Sequence, residues 1–334
     1  MSLRVLIAGG YGVVGSRIAQ HIRAAGHDLE LILAGRNPAD GEALARELGA
    51  TVVRLDTVDP TRWLSEAGHV DLVVAALLDP GDNLLTTALR AGAGHIGIVG
   101  MADSVASTLI AASALRGGRP ALILGHWQAG VLVAATQVAA RAFATVERLE
   151  LAALYDYADP IGPMTADDSG SFFERATLRQ DGVWVRLDPQ AAARTVTRQG
   201  GPAFDAMPTG VLDVLSLAAA TGARDVRFDL GAGESLGTLG GGPASHDLYI
   251  DIEGVRTDGA RARRRWRLSD PAGQAHLTAL GVLVGIERVL GLDGAPPPAG
   301  GLAFPETLLD PDRTLSRLKT FGVQFEQETA PWPL

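Results

Sequence analysis

The sequence contains no cysteine and a single lysine, and both scarcities exclude classes of chemistry. Without thiols the chain cannot form disulfides, bind a metal through thiolates or use a cysteine nucleophile. None of the seven histidines lies in an H-E-x-x-H pattern or another spacing typical of metal ligands. The lysine, Lys319, lies in a polar segment near the C-terminus, which disfavours a Schiff-base mechanism. We expect no metal site.

The sequence also lacks a basic charge balance and a long apolar run. A net charge of −9 argues against a nucleic-acid partner. No charge-free run approaches the roughly 18–20 apolar residues of a membrane helix, and residues 1–7 lead into a predicted strand and not into a signal peptide. We expect a soluble, cytoplasmic protein without a membrane partner, and the length of 334 residues favours two domains.

Residues 1–125 alternate apolar, strand-like runs with helical segments, which is typical of a doubly wound parallel sheet. The predicted strands cover residues 4–8, 29–34, 51–55, 70–75, 95–99 and 121–124. The predicted helices between them cover residues 12–25, 38–48, 60–67, 82–91 and 104–115. Six strands with five crossovers predict an α/β dinucleotide-binding domain of the Rossmann type.

Residues 126–334 follow a different pattern, which predicts a second α+β domain with a mostly antiparallel sheet. Its predicted strands cover residues 148–154, 183–186, 193–198, 226–229, 247–253 and 261–268. Its predicted helices lie near residues 131–144, 275–290 and 312–321. The proline-rich segment 291–301 is predicted to be a surface linker, after which residues 302–334 could pack back on the first domain.

One hairpin of the second domain can be predicted in detail. The loop Thr257-Asp258-Gly259 ends in the glycine that a left-handed bulge position requires, so Arg256 should pair with Ala260. The resulting register pairs Leu248 with Leu268, Ile250 with Trp266, Ile252 with Arg264, Asp251 with Arg265, and Glu253 with Arg263. The arginine-rich strand is therefore interpreted as a charge-paired sheet face and not as an anion site.

The glycine-rich segment that follows the first strand carries the clearest functional signal. Its residues are Gly9, Gly10, Tyr11, Gly12, Val13, Val14 and Gly15. The G-x-G-x-x-G core opens a helix, as in dinucleotide-binding sites. Gly10 would permit the tight turn, Gly12 would let a pyrophosphate approach, and Gly15 would let the helix close onto the strand. The alternative is that these glycines only turn a strand into a helix.

The end of the second strand predicts the preference between NAD and NADP. An acid about 20 residues after the last glycine binds the ribose hydroxyls of NAD, but here Gly35 takes that place and Arg36 and Asn37 follow. Arg36 can offer a fork of donors to a 2′-phosphate, which favours NADP; otherwise it only charges a surface loop. Asp56, after the third strand, could contact the adenine or cap the helix that follows Pro60.

Three residues are candidates for acid–base catalysis. The loop after the fourth strand contains Leu77, Leu78 and Asp79 and should pass the nicotinamide, because ligands bind at the carboxyl ends of parallel strands. Asp79 is either catalytic or a cap of the next helix. His126, at the domain junction, is the histidine best placed for proton transfer, unless it is only a hydrogen-bonded hinge residue. Tyr155, in the second domain, is the third candidate.

These motifs together resemble the saccharopine dehydrogenase-like family. The resemblance rests on residues 9–15, on Ala34-Gly35-Arg36-Asn37, on the junction sequence of residues 125–131 and on the late F-P-E-T-L of residues 304–308. It implies a Rossmann domain, a substrate domain whose sheet often pairs two subunits, and hydride transfer at carbon–nitrogen bonds of opine-like amino acids. It thus implies a homodimer that acts on a small molecule.

Departures from the family pattern indicate a divergent member. His95-Ile96-Gly97 stands where an aspartate is common after the fifth strand, and Ala129 replaces the junction proline. Saccharopine itself is therefore not the expected substrate, and we expect reduction of an imine or carbonyl of another small molecule. A non-catalytic NADP(H)-binding regulator is the alternative. A short-chain dehydrogenase is excluded, because no tyrosine is followed four residues later by lysine.

Overall fold

The structure is a computed structural model. In it the chain folds into two compact units. It describes residues 2–57, 65–98, 100, 102, 105–115, 117–162 and 176–329. The first unit contains Met1–Gly125 and Thr278–Leu309, and the second contains His126–Leu277 and Asp310–Leu334. The first boundary between the units follows Gly125. The second unit is not continuous, however, and of the segment 302–334 only residues 302–309 belong to the first unit.

The strands of the described residues are numbered β1 to β16 in chain order. They are β1 (Leu3–Ala8), β2 (Leu29–Gly35), β3 (Thr51–Arg54), β4 (Leu72–Ala75), β5 (Gly94–Gly97), β6 (Pro120–Ile123), β7 (Phe143–Tyr155), β8 (Ala176–Gln180), β9 (Val183–Leu187), β10 (Arg194–Val196), β11 (Phe204–Pro208), β12 (Asp225–Ala232), β13 (His246–Arg256), β14 (Arg261–Asp270), β15 (Gly301–Ala303) and β16 (Gln324–Gln327).

The α-helices of the described residues are numbered in the same way. They are α1 (Val13–Ala24), α2 (Glu42–Leu48), α3 (Asn83–Arg90), α4 (Ala106–Ala114), α5 (Val131–Ala140), α6 (Asp213–Thr221), α7 (Leu236–Leu239), α8 (Gln274–Leu290), α9 (Pro305–Leu308) and α10 (Pro311–Thr320). Short 3-10 helices lie at Pro38–Gly41 and Pro189–Ala192. None of these described helices combines the length and the apolar character needed to cross a membrane.

The first unit is built on a seven-stranded parallel sheet with the order β15-β6-β5-β4-β1-β2-β3. The direction in which strands are added reverses between β1 and β4. Val5 to Ala8 of β1 and all of β4 are buried, as expected for a parallel sheet covered on both faces. The predicted doubly wound sheet is therefore confirmed. Most of the helix predicted over residues 60–67 lies outside the described residues.

Two parts of the first unit come from late in the chain. Strand β15, which the sequence analysis did not predict, pairs in parallel with β6; a run of three residues carries too little periodicity to be recognised. Residues 278–290 of α8 also belong here. A Cβ at Gly285 would lie 3.1 Å from Leu124 Cδ1, so this glycine allows the helix to pack closely. Glu287 accepts a hydrogen bond from the imidazole of His27 at 2.7 Å.

The second unit contains a nine-stranded mixed sheet. Its main path is β10-β11-β12-β7-β13-β14-β16, with β8 paired to β12 and β9. Among the described pairings only β7 with β12 is parallel, so the predicted mostly antiparallel sheet is confirmed. Strands β8, β11 and β16 and helices α6 and α7 were not predicted from the sequence. Strand β11 ends in Pro208, a residue that argues against a central strand.

The β13–β14 hairpin has the predicted register. The N–H of Arg256 donates to the carbonyl of Ala260 at 2.9 Å, Gly259 has φ of +86°, and all five predicted pairs are formed. Asp251 and Arg265 form a buried ion pair at 2.5 Å. Arg263 instead donates to Glu150 of β7, the strand on the other side of β13, at 2.8 Å, because β7 brings a second carboxylate within reach. The arginine-rich strand is thus a charge-paired face, as expected.

Candidate functional site

The glycine turn after β1 is held by its own main chain. The N–H groups of Gly9 and Gly10 both donate to the carbonyl of Ala34 in β2, at 2.8 and 3.2 Å. Gly9 has φ of +78° and Gly10 does not have a left-handed conformation. The left-handed residue of the tight turn is therefore Gly9 and not Gly10, the residue predicted from the sequence. Gly10 is needed because its Cβ would lie 2.7 Å from the carbonyl oxygen of Ile7.

The glycine turn leads directly into the start of α1. Gly12 and Val13 are exposed, and a Cβ at Gly12 would meet Gly9 O alone, at 3.2 Å. The first turn of α1, which includes Val14, carries neither an acidic residue nor a side-chain cap. Such an N-terminus offers free N–H groups and a positive dipole end to an anion. The turn therefore fits a pyrophosphate.

Gly15 packs against the turn itself. A Cβ at this position would overlap the carbonyl oxygen of Gly9 and would lie 2.8 Å from its carbon and 2.9 Å from the Cα of Gly10. These are main-chain atoms that cannot move aside. Glycine is therefore required for α1 to begin directly against the turn.

The end of β2 contains the residues predicted to select the cofactor. Gly35 is buried, whereas Arg36 and Asn37 are exposed directly after it. The side-chain amide of Asn37 donates to Asp40 at 2.9 Å. The ring of Tyr11 lies against Gly35. The position usually held by a ribose-binding acid thus lacks a carboxylate and adjoins an exposed guanidinium.

The loop after β4 holds Leu77, Leu78 and Asp79. The carboxylate of Asp79 accepts hydrogen bonds from the N–H groups of Asn83, Leu84 and Leu85 at 2.9, 2.8 and 3.3 Å. It therefore caps α3, the second of the two roles considered for it. Burial raises the pKa of this carboxyl despite these three bonds. Leu78 is exposed.

A cavity of about 320 Å³ lies at the carboxyl ends of β4, β5 and β6. Strand neighbours Ala75, Gly97 and Ile123 line one side. His95, 3% exposed, lines it two residues earlier in β5. Neither ring nitrogen of His95 has a hydrogen-bond partner among the described residues. Burial lowers the pKa of His95 to about 4, so its imidazole is neutral.

Other walls of the cavity come from the loop after β4 and from α4. They include Leu77, Leu78, Asp79, Asp82, Ser107 and Thr108. The hydroxyl of Thr108 donates to Asp82 at 2.6 Å. The cavity is thus mainly apolar, with hydroxyl and carboxyl groups at one side. Asp56 is not among these residues; it is exposed after β3, and Pro60, which its alternative capping role involves, lies outside the described residues.

In the second unit, His126 is buried and hydrogen-bonded. It is 4% exposed, and its Nε2 lies 2.8 Å from the hydroxyl oxygen of Ser216 in α6. The N–H of the next residue, Trp127, donates to the Asp213 carboxylate at 2.7 Å. These bonds tie the junction to the start of α6. They are the contacts expected of the hinge role considered for His126.

Residues 128–130 form a turn of three consecutive left-handed residues, which we call the junction turn. Gln128, Ala129 and Gly130 have φ of +53°, +52° and +85°. Side chains with a Cβ rarely adopt this conformation, which costs about 1–2 kcal/mol per residue. Such strain persists only when surrounding contacts enforce it, and it concentrates at functional sites. Contacts of the side chains that flank the junction turn must therefore offset the energy of this strain.

His246, the first residue of β13, makes some of the contacts that hold the junction turn. Its Nε2 lies 3.1 Å from Trp127 Nε1 and 2.9 Å from Gln128 Nε2. An indole N–H can only donate, so Nε2 of His246 accepts and its proton resides on Nδ1. Burial lowers the pKa of His246 to about 4 and keeps the imidazole neutral. A glycine-rich loop precedes His246 in the sequence, but nothing there indicates this contact.

Tyr155 is the last residue of β7 and belongs to the second unit. Its ring packs edge-on against Tyr157, with ring centroids 5.5 Å apart. Burial and the nearby carboxylate of Asp159 raise the pKa of the Tyr155 hydroxyl, which therefore keeps its proton at neutral pH. Tyr155 can act as a hydrogen-bond donor. His126 and Tyr155 lie in the second unit, whereas Asp79 and the residues predicted to bind the cofactor lie in the first.

Comparison with known proteins gives a fold but no sequence family. No protein-family model matches the sequence, and no curated protein is significantly similar to it. Saccharopine dehydrogenase (L-Glu forming) from Saccharomyces cerevisiae has the same fold, with a TM-score of 0.71 over 98% of this chain and 100% of that chain, at 14% identity. A structure described as a "probable dehydrogenase" from Thermotoga maritima gives a TM-score of 0.50 at 12% identity, over 96% of each chain.

At these identities the similarity establishes the fold alone. It extends over both units and not only over the glycine-rich segment. The resemblance to saccharopine dehydrogenase-like proteins that the motifs predicted is therefore confirmed at the level of the fold.

Proposed function

We propose that the protein is a nicotinamide-dinucleotide-dependent oxidoreductase that prefers NADP(H). The observation that carries the proposal is the exposed Gly12 at the uncapped start of α1, together with an end of β2 that has Gly35 in place of an acid and presents Arg36 directly after it. The fold shared with a saccharopine dehydrogenase supports the same activity. In this proposal, a bound nicotinamide supplies or accepts the hydride.

Different residues of the first unit would bind different parts of the cofactor. The main-chain N–H groups of Val13 and Val14 would bind the pyrophosphate, because they belong to the first turn of α1. Arg36 and Asn37 would bind the 2′-phosphate through charge-assisted hydrogen bonds. Asp56 would lie on the adenine side.

The cavity beside the loop after β4 is proposed to receive the nicotinamide end. It lies at the carboxyl ends of β4 to β6, the edge of a parallel sheet where ligands bind. Leu77 and Leu78 supply apolar contact for a ring. Hydride transfer to an imine or carbonyl of a small molecule fits the absence of cysteine, since it needs no covalent intermediate.

The proton in such a reaction would come from one of the three candidate residues. Asp79 and His126 both have hydrogen-bond partners, whereas Tyr155 is half-buried and keeps a proton that it can donate. His126→Asn, Asp79→Asn and Tyr155→Phe should be compared in single-turnover experiments. The variant that lowers the chemical rate by ~10²–10⁴-fold, with unchanged cofactor binding, identifies the acid–base residue.

A non-catalytic NADP(H)-binding regulator is the alternative function. It is favoured by the capping role of Asp79 and by the hydrogen bond of His126 to Ser216, which account for both residues without catalysis. Tight NADPH binding without turnover of any amine, imine or carbonyl compound would support the regulator. Hydride release or uptake would support the enzyme.

The cofactor preference is tested by titration with NADPH and NADH. Arg36→Ala should weaken NADPH binding by roughly 1.5–3 kcal/mol and leave NADH nearly unchanged, because the charge-assisted contact involves only the 2′-phosphate. Arg90→Ala is a matched control, since Arg90 is exposed at the C-terminal end of α3, which leads back to the amino ends of the strands. Equal losses for both nucleotides in Arg36→Ala would refute the preference.

The homodimer that the resemblance implies stays a proposal, and the apolar face of β13 does not support it. Leu248, Ile250 and Ile252 are completely buried within a single chain. The apolar face of β13 therefore belongs to the core of the chain itself and gives no support for a partner subunit. Light scattering at micromolar concentration tests the dimer, and a monomer-sized species would contradict it.

A further inference from the structure

The ring of Tyr11 lies between two glycines at the end of β2. A Cβ at Gly35 would overlap the phenolic oxygen and Cζ of Tyr11 and would lie 3.0 Å from its Cε2. A Cβ at Gly41 would lie 2.6 Å from Cδ1 and 3.0 Å from Cε1 of the same ring. These two glycines, one in β2 and one in the following 3-10 helix, leave the space that the tyrosine fills.

This packing makes a side chain at position 35 incompatible with Tyr11 in its observed place. Gly35 is buried and its φ is not left-handed, so the residue needs to be glycine for lack of space and not for its backbone conformation. Position 35 ends β2, where NAD-binding sites place an acid. The missing acid and the tyrosine of the glycine turn are therefore two parts of one arrangement.

The hydroxyl of Tyr11 also changes the kind of hydrogen bond that the end of β2 can offer to a nucleotide. An acid presents acceptors, which suit ribose hydroxyls, whereas a phenol presents an O–H donor, which suits a phosphate. Burial raises the pKa of Tyr11, so the hydroxyl keeps its proton at neutral pH. Its oxygen is buried without a hydrogen-bond partner among the described residues, and the charges of Arg36 and Asp40 act on it with opposite sign.

We propose that Tyr11 determines the preference at the 2′ position of the nucleotide: its ring excludes an acid at position 35, and its hydroxyl acts with Arg36 as a donor to a 2′-phosphate. The inference rests on the proposed function, since it requires a dinucleotide at the glycine turn. It adds a specificity residue from the glycine turn itself, which the motif alone does not reveal. The carboxylate of Asp40, held by Asn37, opposes the phosphate and must be outweighed by these donors.

The experiment compares five variants by nucleotide titration and by thermal unfolding. Tyr11→Phe keeps the ring and removes the donor, so NADPH binding should weaken about tenfold or more while NADH binding stays within about twofold. Asp40→Asn should strengthen NADPH binding, and Arg90→Ala should change neither. The same titration with 2′-phospho-AMP and AMP isolates the phosphate contact from the nicotinamide.

The exclusion of an acid is tested by Gly35→Asp alone and combined with Tyr11→Ala. The single variant should lower the melting temperature, because the new side chain collides with the tyrosine ring. The double variant should recover stability and bind NADH better than NADPH. Thermal unfolding reports the collision even if no nucleotide binds.

Three results would overturn the proposal. Tyr11→Phe with unchanged NADPH preference would remove the role of the hydroxyl. Gly35→Asp as stable as the wild type would remove the exclusion by the ring. Wild-type protein that binds neither nucleotide would refute the proposed function and this inference together, whereas failure of the variants alone refutes only the inference.

Discussion

Two turns of this molecule solve the same geometric problem in different ways. Each follows a strand of the parallel sheet, bends sharply and begins a helix: the glycine turn leads from β1 to α1, and the junction turn leads from β6 to α5. The glycine turn has glycine at its left-handed and crowded positions, Gly9, Gly10 and Gly15. The junction turn places Gln128 and Ala129 in the left-handed region.

The difference lies in where the stabilising energy comes from. Glycine adopts a left-handed conformation at little steric cost, so the glycine turn needs only local main-chain bonds to β2. The junction turn needs Asp213, Ser216 and His246, which lie far along the chain, to hold its flanking groups. A turn encoded by glycine can be recognised in a sequence. A turn enforced by distant side chains cannot.

The largest effect is expected from Gly15→Ala in the glycine turn. The added methyl would overlap main-chain atoms of Gly9 that cannot move aside, so we expect a loss of roughly 3–4 kcal/mol or more in the free energy of unfolding. Gly26→Ala is the control, because Gly26 has φ of +76° but open space around its Cβ position, and should cost about 1–2 kcal/mol. Chemical denaturation measures both, and equal losses would contradict the close packing.

The second prediction concerns acid sensitivity and compares the two units. Burial lowers the pKa of His95 in the first unit and of His246 in the second to about 4. The unfolded chain then binds more protons, so stability is complete above pH ~6.5 and falls as the pH drops towards 4, by about 3 kcal/mol per histidine. Buried carboxyls act oppositely, because burial raises their pKa and acid relieves their desolvation. They are Asp159, with a pKa of about 6, and, more weakly, Glu328 in the second unit and Asp79 in the first.

The first unit should therefore lose more stability than the second between pH 6.5 and 4. Replacing His95 by leucine removes the buried imidazole without breaking a hydrogen bond to a described residue, and should flatten the pH dependence of the first unit. Hydrogen exchange at several pH values follows the two units separately. The same acid loss in wild type and His95→Leu would show that His95 is not buried in its neutral form.

A smaller loss is expected when the junction turn loses a distant contact. Asp213→Ala removes the charge-assisted bond to the N–H of Trp127 and should cost about 1.5–3 kcal/mol. Asp312→Ala is the control, because its ion pair with Arg141 is exposed and should contribute at most about 1 kcal/mol. Denaturation curves decide between them. If both variants lose the same stability, Asp213 does not hold the turn.

The smallest effect has the opposite sign. Ala129→Gly relieves left-handed strain of about 1–2 kcal/mol but adds entropy to the unfolded chain, so a gain of up to about 1 kcal/mol is expected. Ala134→Gly, inside α5, should instead lose about 0.5–1 kcal/mol. Opposite signs in the same denaturation assay establish strain at Ala129, and a loss in both variants rules it out.

Sequence reasoning succeeded where the relevant interactions are local. The alternating strands and helices of the first unit were predicted from apolar periodicity, and the register of the β13–β14 hairpin followed from Gly259 alone. The glycine turn was also found, although the left-handed residue is Gly9 and not Gly10. The sequence left two interpretations of Asp79, a catalytic residue or a helix cap. Its capping role became clear only from the hydrogen bonds to α3.

What the sequence could not give depends on contacts between distant segments. Strand β15 exists because it adds to β6, and residues 278–290 join the first unit because Gly285 allows α8 to approach the sheet. Neither feature has a local pattern of its own. The neutral state of His95 and His246 likewise follows from burial, which no short sequence window contains.

The sequence by itself determined the parallel sheet, the glycine turn and the absence of an acid at position 35, because periodicity and glycine act over a few residues. Only the tertiary structure decided that Tyr11 fills the place of that acid and that Gln128 and Ala129 are held in a strained turn. These features arise from collisions and hydrogen bonds between segments that meet only after folding. Steric exclusion and enforced strain are properties of the packed chain and not of its local composition.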